Sequence, residues 1–341
     1  MIILSNCLAD VMDEGCLKVA NSLIRRIKEK CPETTVVSCG ESKKTGDIHI
    51  KTNKLLLNRK LLRLIRKKKE PVLYVPAVAK AHTMAARVMV LSLAARRGLQ
   101  IVQVMQYKTG KLAAFLLKLS KVRVITLSHS SWEYYRGIVG DRAIYLKTGV
   151  DTTKFSPVDD RTKMSYREKY GLPQDKPIVL HVGHLRTGRN IDKMTLLDET
   201  VHGVLVTSTY EPQSREEELK TELQKRPNLT VLDGYLEHIE EIYQLSDVYL
   251  FPVVKEHNCI DIPLSAMEAA ACNIPVVSTP YGEMKQLLGK DGFSEITSFD
   301  PEVLNRLIRE AVGSHGAPRE SALDYDWDFA VEKLLSSDIN E

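Results

Sequence analysis

The chain has 341 residues, 43% hydrophobic and 27% charged, which fits two ordinary globular domains; no apolar run approaches the ~20 residues that a membrane span needs. Its formal charge of +4 hides an asymmetry: residues 1–150 hold 28 Lys and Arg against 10 Asp and Glu, a net of +18, and the remainder holds 20 against 34, a net of −14. A first half this basic expects anionic partners, whether a phosphorylated acceptor, an anionic membrane surface or nucleic acid.

The opening stretch, MIILSNCLADVMDE, carries acids where a signal peptide would carry lysines, so a cytoplasmic protein is expected. Cys7, Cys16, Cys31, Cys39, Cys259 and Cys272 form no CxxC pair, which fits reduced thiols better than a disulfide framework. Short apolar runs at Ile2–Ser5, Thr35–Cys39, Asp47–Lys51, Val72–Val75, Ile101–Met105 and Arg123–Leu127 read as strands, with helices between them. Such alternation predicts an α/β fold with a doubly wound parallel sheet. Two of the helical stretches are basic and amphipathic. KLLLNRKLLRLIRKKK, from Lys54 to Lys69, places Leu57, Leu61, Leu64 and Ile65 on one face, and Lys108, Lys111, Lys118 and Lys121 surround AAFLLKL. Each reads either as a core-facing helix with cations on its outer side or as a helix lying on an anionic membrane surface.

Pro157 and the polar run through Lys163, after TGVDTTKFSPV, read as a linker. We therefore divide the chain into residues 1–150, 151–324 and a tail, 325–341. The alternation resumes beyond the linker, with strands at Ile178–Val182, Gly203–Thr207, Leu229–Leu232, Asp247–Phe251 and Pro275–Ser278 and helices that include Ser214–Lys225 and Ile239–Leu245.

Three stretches of this second half carry candidate chemistry. HVGHLRTGRNI follows a strand: Gly183 lets backbone approach a ligand, and Arg189 is a cation suited to bidentate contact with a diphosphate. The plain alternative is a tight turn with an exposed cation. LDGYLEHIEEIYQLSDVYLFP offers Gly234, Tyr235 and Leu236 at a strand end. KEHNCIDIPLSAMEAAACNIPVVST runs from a strand into a helix that starts near Pro263 and Leu264 and carries Glu268 about one turn in. In an open parallel sheet the ligand crevice lies at the carboxyl ends of strands, where helix N-terminal amides attract phosphates and a carboxylate takes a ribose diol. A glutamate simply solvated on the helix surface is the alternative. His181 and His184, three apart, have no matching carboxylate or cysteine cluster, so no metal is expected.

This last stretch resembles the glutamate-bearing helix of the retaining GT-B glycosyltransferases of family 4 (glycosyl transferases group 1), in which two glutamates stand eight positions apart. The second falls on Glu268, followed by AAACNIPVVST, and the first on Ile260. The stretch TGVD is similar to the family's interdomain hinge, with Thr148 in place of an asparagine; Ser128 falls where the family has a serine, and the tail DYDWDFAVEKLLSS resembles its last helix, which crosses back onto the first domain. The family's loop arginine falls on His184 and its lysine on Arg189; His184 would have to be protonated to serve, or Arg186 would have to replace it. Gly234, Tyr235 and Leu236 match the segment that cradles the nucleotide base. The glycine-rich first loop is reduced to Gly15, the glycine pair after Val206 is replaced by TSTYEP, and Gln106 stands where a histidine usually faces the donor sugar. Asp261 either substitutes for the glutamate missing at Ile260 or caps the helix ahead of Pro263.

The resemblance implies a GT-B architecture, two Rossmann-like domains with parallel sheets facing an interdomain cleft. It implies transfer of a sugar from a nucleotide-diphosphate donor to a hydroxyl, with retention and without a metal or other cofactor. Arg189, Glu268, Gln106 and Asp261 would be the catalytic set. Gly15, Gly183, His184, Arg186, Gly234, Tyr235, Leu236, Pro263 and Leu264 would hold the donor together with Arg189 and Glu268. The basic first half leads us to expect a phosphorylated, glycan or lipid-linked acceptor and peripheral attachment at the inner face of a membrane. The departures at Ile260 and Gln106 keep open a non-catalytic nucleotide-sugar-binding subunit. A two-domain dehydrogenase lacks its glycine fingerprint in SNCLADVMDEG, and no nucleic-acid-binding motif is present.

Overall fold

The computed structural model describes residues 1–8, 15–40, 42, 46–76, 80–104, 109–186, 188–207, 214–256, 258–314 and 316–336. By mutual contacts the chain forms two units. The first comprises Met1–Thr148, Ile260–Ile262 and Trp327–Glu341, and the second Gly149–Cys259 and Pro263–Asp326.

In the first unit the order is β1 (Ile2–Ser5), α1 (Gly15–Lys30), β2 (Thr35–Cys39), β3 (Ile48–Ile50), α2 (Arg59–Lys68), β4 (Val72–Val75), α3 (Ala81–Ser92), β5 (Leu99–Gln103), α4 (Lys111–Leu119), β6 (Arg123–Thr126), α5 (His129–Val139) and β7 (Ala143–Tyr145). The seven strands make one parallel sheet ordered β3-β2-β1-β4-β5-β6-β7. β1 and β4 are buried along their whole length, as expected of apolar strands covered on both faces. The strand expected at Ile101–Met105 begins two residues earlier, because Gly98, at φ +111°, turns the chain and Leu99 pairs with Val72.

The two basic amphipathic stretches fold differently. Asn58 caps α2 by accepting from the Lys60 and Leu61 amides, and Leu61 and Ile65 disappear into the core, so this helix takes the core-facing reading. On α4, Ala113 and Leu117 point inward, while Leu112 (72% exposed), Phe115 (58%) and Leu119 (57%) stand in solvent beside Lys111 and Lys118.

The second unit runs α6 (Asp160–Lys169), β8 (Ile178–Val182), β9 (His202–Thr207), α7 (Ser214–Gln224), β10 (Leu229–Asp233), α8 (Ile239–Gln244), β11 (Val248–Phe251), α9 (Leu264–Ala271), β12 (Val276–Ser278), β13 (Phe293–Glu295), α10 (Pro301–Gly313) and α11 (Pro318–Leu323). Its six parallel strands are ordered β10-β9-β8-β11-β12-β13. The last helix, α12 (Trp327–Ser336), belongs to the first unit, where Asp328 meets Arg26 at 2.6 Å and Glu332 meets Lys30 at 2.6 Å on α1. Each sheet reverses its winding once, between β1 and β4 and between β8 and β11. Those are the two places where a parallel sheet opens a ligand crevice at its carboxyl edge.

Candidate functional site

At the carboxyl edge of the second sheet, β8 runs into the loop that holds Gly183. The Gly183 amide donates to Val206 O (3.0 Å), and a Cβ at this position would come within 2.6 Å of Arg189 Nη1 and 3.1 Å of His181 Nε2. Arg189 therefore lies across a bare stretch of backbone that only glycine provides. Its Nε donates to Asn258 O (2.8 Å), in the segment that follows β11. That segment is itself pinned: the Tyr281 hydroxyl accepts from the Cys259 amide (3.1 Å) and donates to the Cys259 carbonyl (2.6 Å). The guanidinium is thus fixed by the two loops on either side of the winding reversal.

The two histidines beside it are neutral. His181 is fully buried between the rings of Tyr249 and Phe251. Its Nδ1 faces Leu250 O at 2.8 Å, and because a carbonyl only accepts, the proton sits on Nδ1 and Nε2 presents a lone pair. Nε2 has no hydrogen-bond partner among the described residues. Burial first, then the Arg189 charge, holds the His181 pKa down to about 4 against the pull of the Leu250 carbonyl. Burial followed by the charges of Arg189 and Arg186 pushes His184 down to about 3. The protonated His184 required for a cationic role is therefore absent at neutral pH, which leaves the positive charge to Arg189 and Arg186.

Helix α9 begins at Leu264 after Pro263, with no side-chain cap on its first amides. The sequence allowed Asp261 to be that cap, and it is not. The Tyr249 hydroxyl joins the helix start to the end of β8, reaching Ser265 Oγ (2.7 Å) and Val182 O (3.3 Å). Glu268 is 4% exposed, so the solvated alternative is overturned, and its Oε2 accepts from the Tyr243 hydroxyl at 2.6 Å. Burial, with the Glu268 charge next, raises the Tyr243 phenol well above its ordinary value and keeps it a donor. Gly234 follows β10 at φ +110°, with its amide on Thr207 O (3.1 Å); Tyr235 is exposed and Leu236 half-buried.

The remaining candidates lie in the first unit. Gly15 opens α1, and a Cβ there would meet the Ile260 side chain at 3.0 Å. Asp261 is fully buried, accepts from Ser128 Oγ (2.6 Å) and donates its amide to Val104 O (2.9 Å). Ser128 also caps α5 by accepting from the Ser131 amide (3.1 Å). Gln106 lies outside the described residues. No group of three or more metal-ligating side chains occurs among the described residues, and none of their helices is long and apolar enough to cross a membrane. Sequence reading passed over Tyr243, Tyr249 and Tyr281, which hold Glu268, the start of α9 and Cys259. All three are tyrosines inside or beside expected strands and helices, where they read as ordinary core.

Residues 176–312, which contain Gly183, Arg189, Gly234 and Glu268, match the family described as Glycosyl transferases group 1. The chain is 23% identical over 185 residues to TuaC of Bacillus subtilis (strain 168), named as a teichuronic acid biosynthesis glycosyltransferase, covering 54% of this chain and 45% of that protein. It is 26% identical over 221 residues to a D-inositol 3-phosphate glycosyltransferase of Xylanimonas cellulosilytica, covering 57% and 50%. The chain thus spans about half the length of these curated relatives. Among solved structures, Alr3699/HepE of Anabaena in complex with UDP and glucose superposes with a TM-score of 0.72 at 13% identity, over 98% of this chain and 99% of that one. That likeness shows the fold, two Rossmann-like domains with parallel sheets as in the GT-B glycosyltransferases.

Proposed function

We propose that the chain is a glycosyltransferase that takes a sugar from a nucleotide-diphosphate donor and passes it to a hydroxyl, with retention and without a metal. The observation that carries this reading is Arg189, clamped across Gly183 at the carboxyl end of β8, in a stretch that matches the group 1 glycosyltransferases. As the nucleotide diphosphate leaves, Arg189 and the uncapped amides at the start of α9 stabilise its developing charge. Glu268, held by Tyr243, takes the ribose hydroxyls, and Gly234 to Leu236 line the base. The curated glycosyltransferase relatives and the UDP and glucose held by the Anabaena protein support such a donor.

The acceptor in this reading is phosphorylated, a glycan or lipid-linked, and the protein works at the inner face of a membrane. The exposed Leu112, Phe115 and Leu119, with Lys111 and Lys118 beside them, suit an anionic lipid surface. A second reading, a nucleotide-sugar-binding subunit without transfer, is favoured by one feature: the apolar Ile260, buried against Gly15 where the family has a glutamate.

Thermal unfolding with a panel of nucleoside diphosphates and their sugars tests the donor site. Ligand binding to the folded state alone raises Tm, by the equivalent of about 2.7 kcal/mol at a hundred times Kd. One nucleotide should raise Tm in the wild type and fail to do so in Glu268→Ala and Arg189→Ala. If no nucleotide shifts the wild type, the donor reading falls. If a nucleotide sugar shifts Tm but is neither transferred nor hydrolysed, the second reading takes its place.

A further inference from the structure

The first sheet reverses its winding between β1 and β4, and a polar cluster unused by the donor site lies at the carboxyl ends of these strands. Arg87, on α3, is 8% exposed. Its Nε donates to Lys54 O (2.8 Å) and its Nη1 to the Tyr74 hydroxyl (3.1 Å). Tyr74, in β4 and fully buried, donates its hydroxyl hydrogen bond to Oδ1 of Asn6 (3.0 Å), the residue after β1. Among the described residues Arg87 is thereby held by neutral acceptors alone.

No charge among the described residues balances it. Among the described residues Arg87 has no ion pair and its Nη2 no hydrogen-bond acceptor. The acidic protons nearby stay on: burial pushes the Cys39 thiol up to about 12 and the Cys7 thiol up to about 11, and raises the Tyr74 phenol above its ordinary value. A buried guanidinium is costly when nothing negative faces it, and its fork geometry matches a phosphate or carboxylate. The surplus of +18 over residues 1–150 draws anions to this unit.

We propose that Arg87, oriented by Tyr74 and Asn6, binds a phosphate group at the β1/β4 reversal. Calling that phosphate part of the acceptor rests on the transferase reading; the binding of the anion does not. The site would take a phosphate ester, either on a soluble molecule or as a lipid headgroup.

Isothermal titration of inorganic phosphate into the full chain, with UDP saturating so that the diphosphate loop is filled, tests the site. The wild type should bind, Arg87→Gln should bind at least tenfold more weakly, and Arg87→Lys and Tyr74→Phe should fall between them. UDP affinity should be the same in all four, and far-UV circular dichroism, which sees both units, certifies that each is folded. Vesicles of phosphatidylcholine with phosphatidic acid form a parallel arm. Weaker binding in both arms identifies a headgroup site, and weaker binding of inorganic phosphate alone a soluble ester; either supports the proposal. No binding by the wild type, or equal binding by Arg87→Gln, overturns it. A lower Tm in Arg87→Gln with phosphate binding unchanged would leave Arg87 a structural tie between α3 and Lys54. If no nucleoside diphosphate binds, the donor reading fails, and the same titration without nucleotide still decides this one.

Discussion

Acidification from pH 7 to pH 5 should destabilise the folded chain through His181 and His184. In the unfolded chain a histidine titrates near 6.5, whereas burial and the Arg189 charge hold these two at about 4 and about 3. Between those limits the unfolded state binds more protons than the folded one, so stability falls as pH falls; the contribution is complete above 6.5 and is lost progressively below it. At pH 5 both folded histidines are still neutral and both unfolded ones are charged. Each therefore loses about 2 kcal/mol between pH 7 and 5, roughly 4 kcal/mol together. Asp47, Asp198 and Asp233 are held below the usual carboxylate range and titrate beneath this window. The measurement is the urea midpoint at the two pH values, for the wild type and for His181→Phe. Phenylalanine keeps a ring between Tyr249 and Phe251 but leaves the Leu250 carbonyl without its donor, at about 1 kcal/mol at either pH. The variant should lose about 2 kcal/mol of the acid sensitivity, the rest staying with His184 and with His202, whose pKa burial also lowers. An equal pH 7 to 5 difference in the two proteins would refute the assignment of a buried, neutral His181.

Two further outcomes follow from named contacts. Tyr243→Phe removes the hydroxyl that donates to Glu268 and should lower the urea stability by about 1–3 kcal/mol while weakening nucleotide binding; unchanged affinity would mean that Glu268 does not meet the ribose. Replacing Leu112, Phe115 and Leu119 together by serine should release the protein from anionic vesicles in a pelleting assay, with little effect on Tm because all three are exposed. Retention equal to the wild type would exclude α4 as the membrane contact.

All eleven strands read from the sequence stand in the structure; most of them, and the helix that bears Glu268, were legible because parallel strands covered on both faces are short continuous apolar runs and because Pro263 marks a helix start. The three-residue edge strands β7 and β13 escaped notice, while β3, as short and also at an edge, did not; a run of three carries little pattern to set it apart from a loop. Gly183, Arg189 and Glu268 could be singled out because they fall at matching places in the resembled family; each alone also reads as a tight turn, an exposed cation or a solvated carboxylate. The environment of each was not legible. A glutamate on a helix reads as solvated until Tyr243, 25 positions away, is seen to bury it, and a histidine beside two arginines reads as a phosphate ligand until burial removes its proton. Arg87 gave no signal at all: in AARVMV it is one more cation of a basic half, and only the strand order brings Tyr74 and Asn6 to it. Local periodicity records which face of an element is covered. The partners, and with them the dielectric and charge that govern each polar group, arise from contacts between residues distant in the chain.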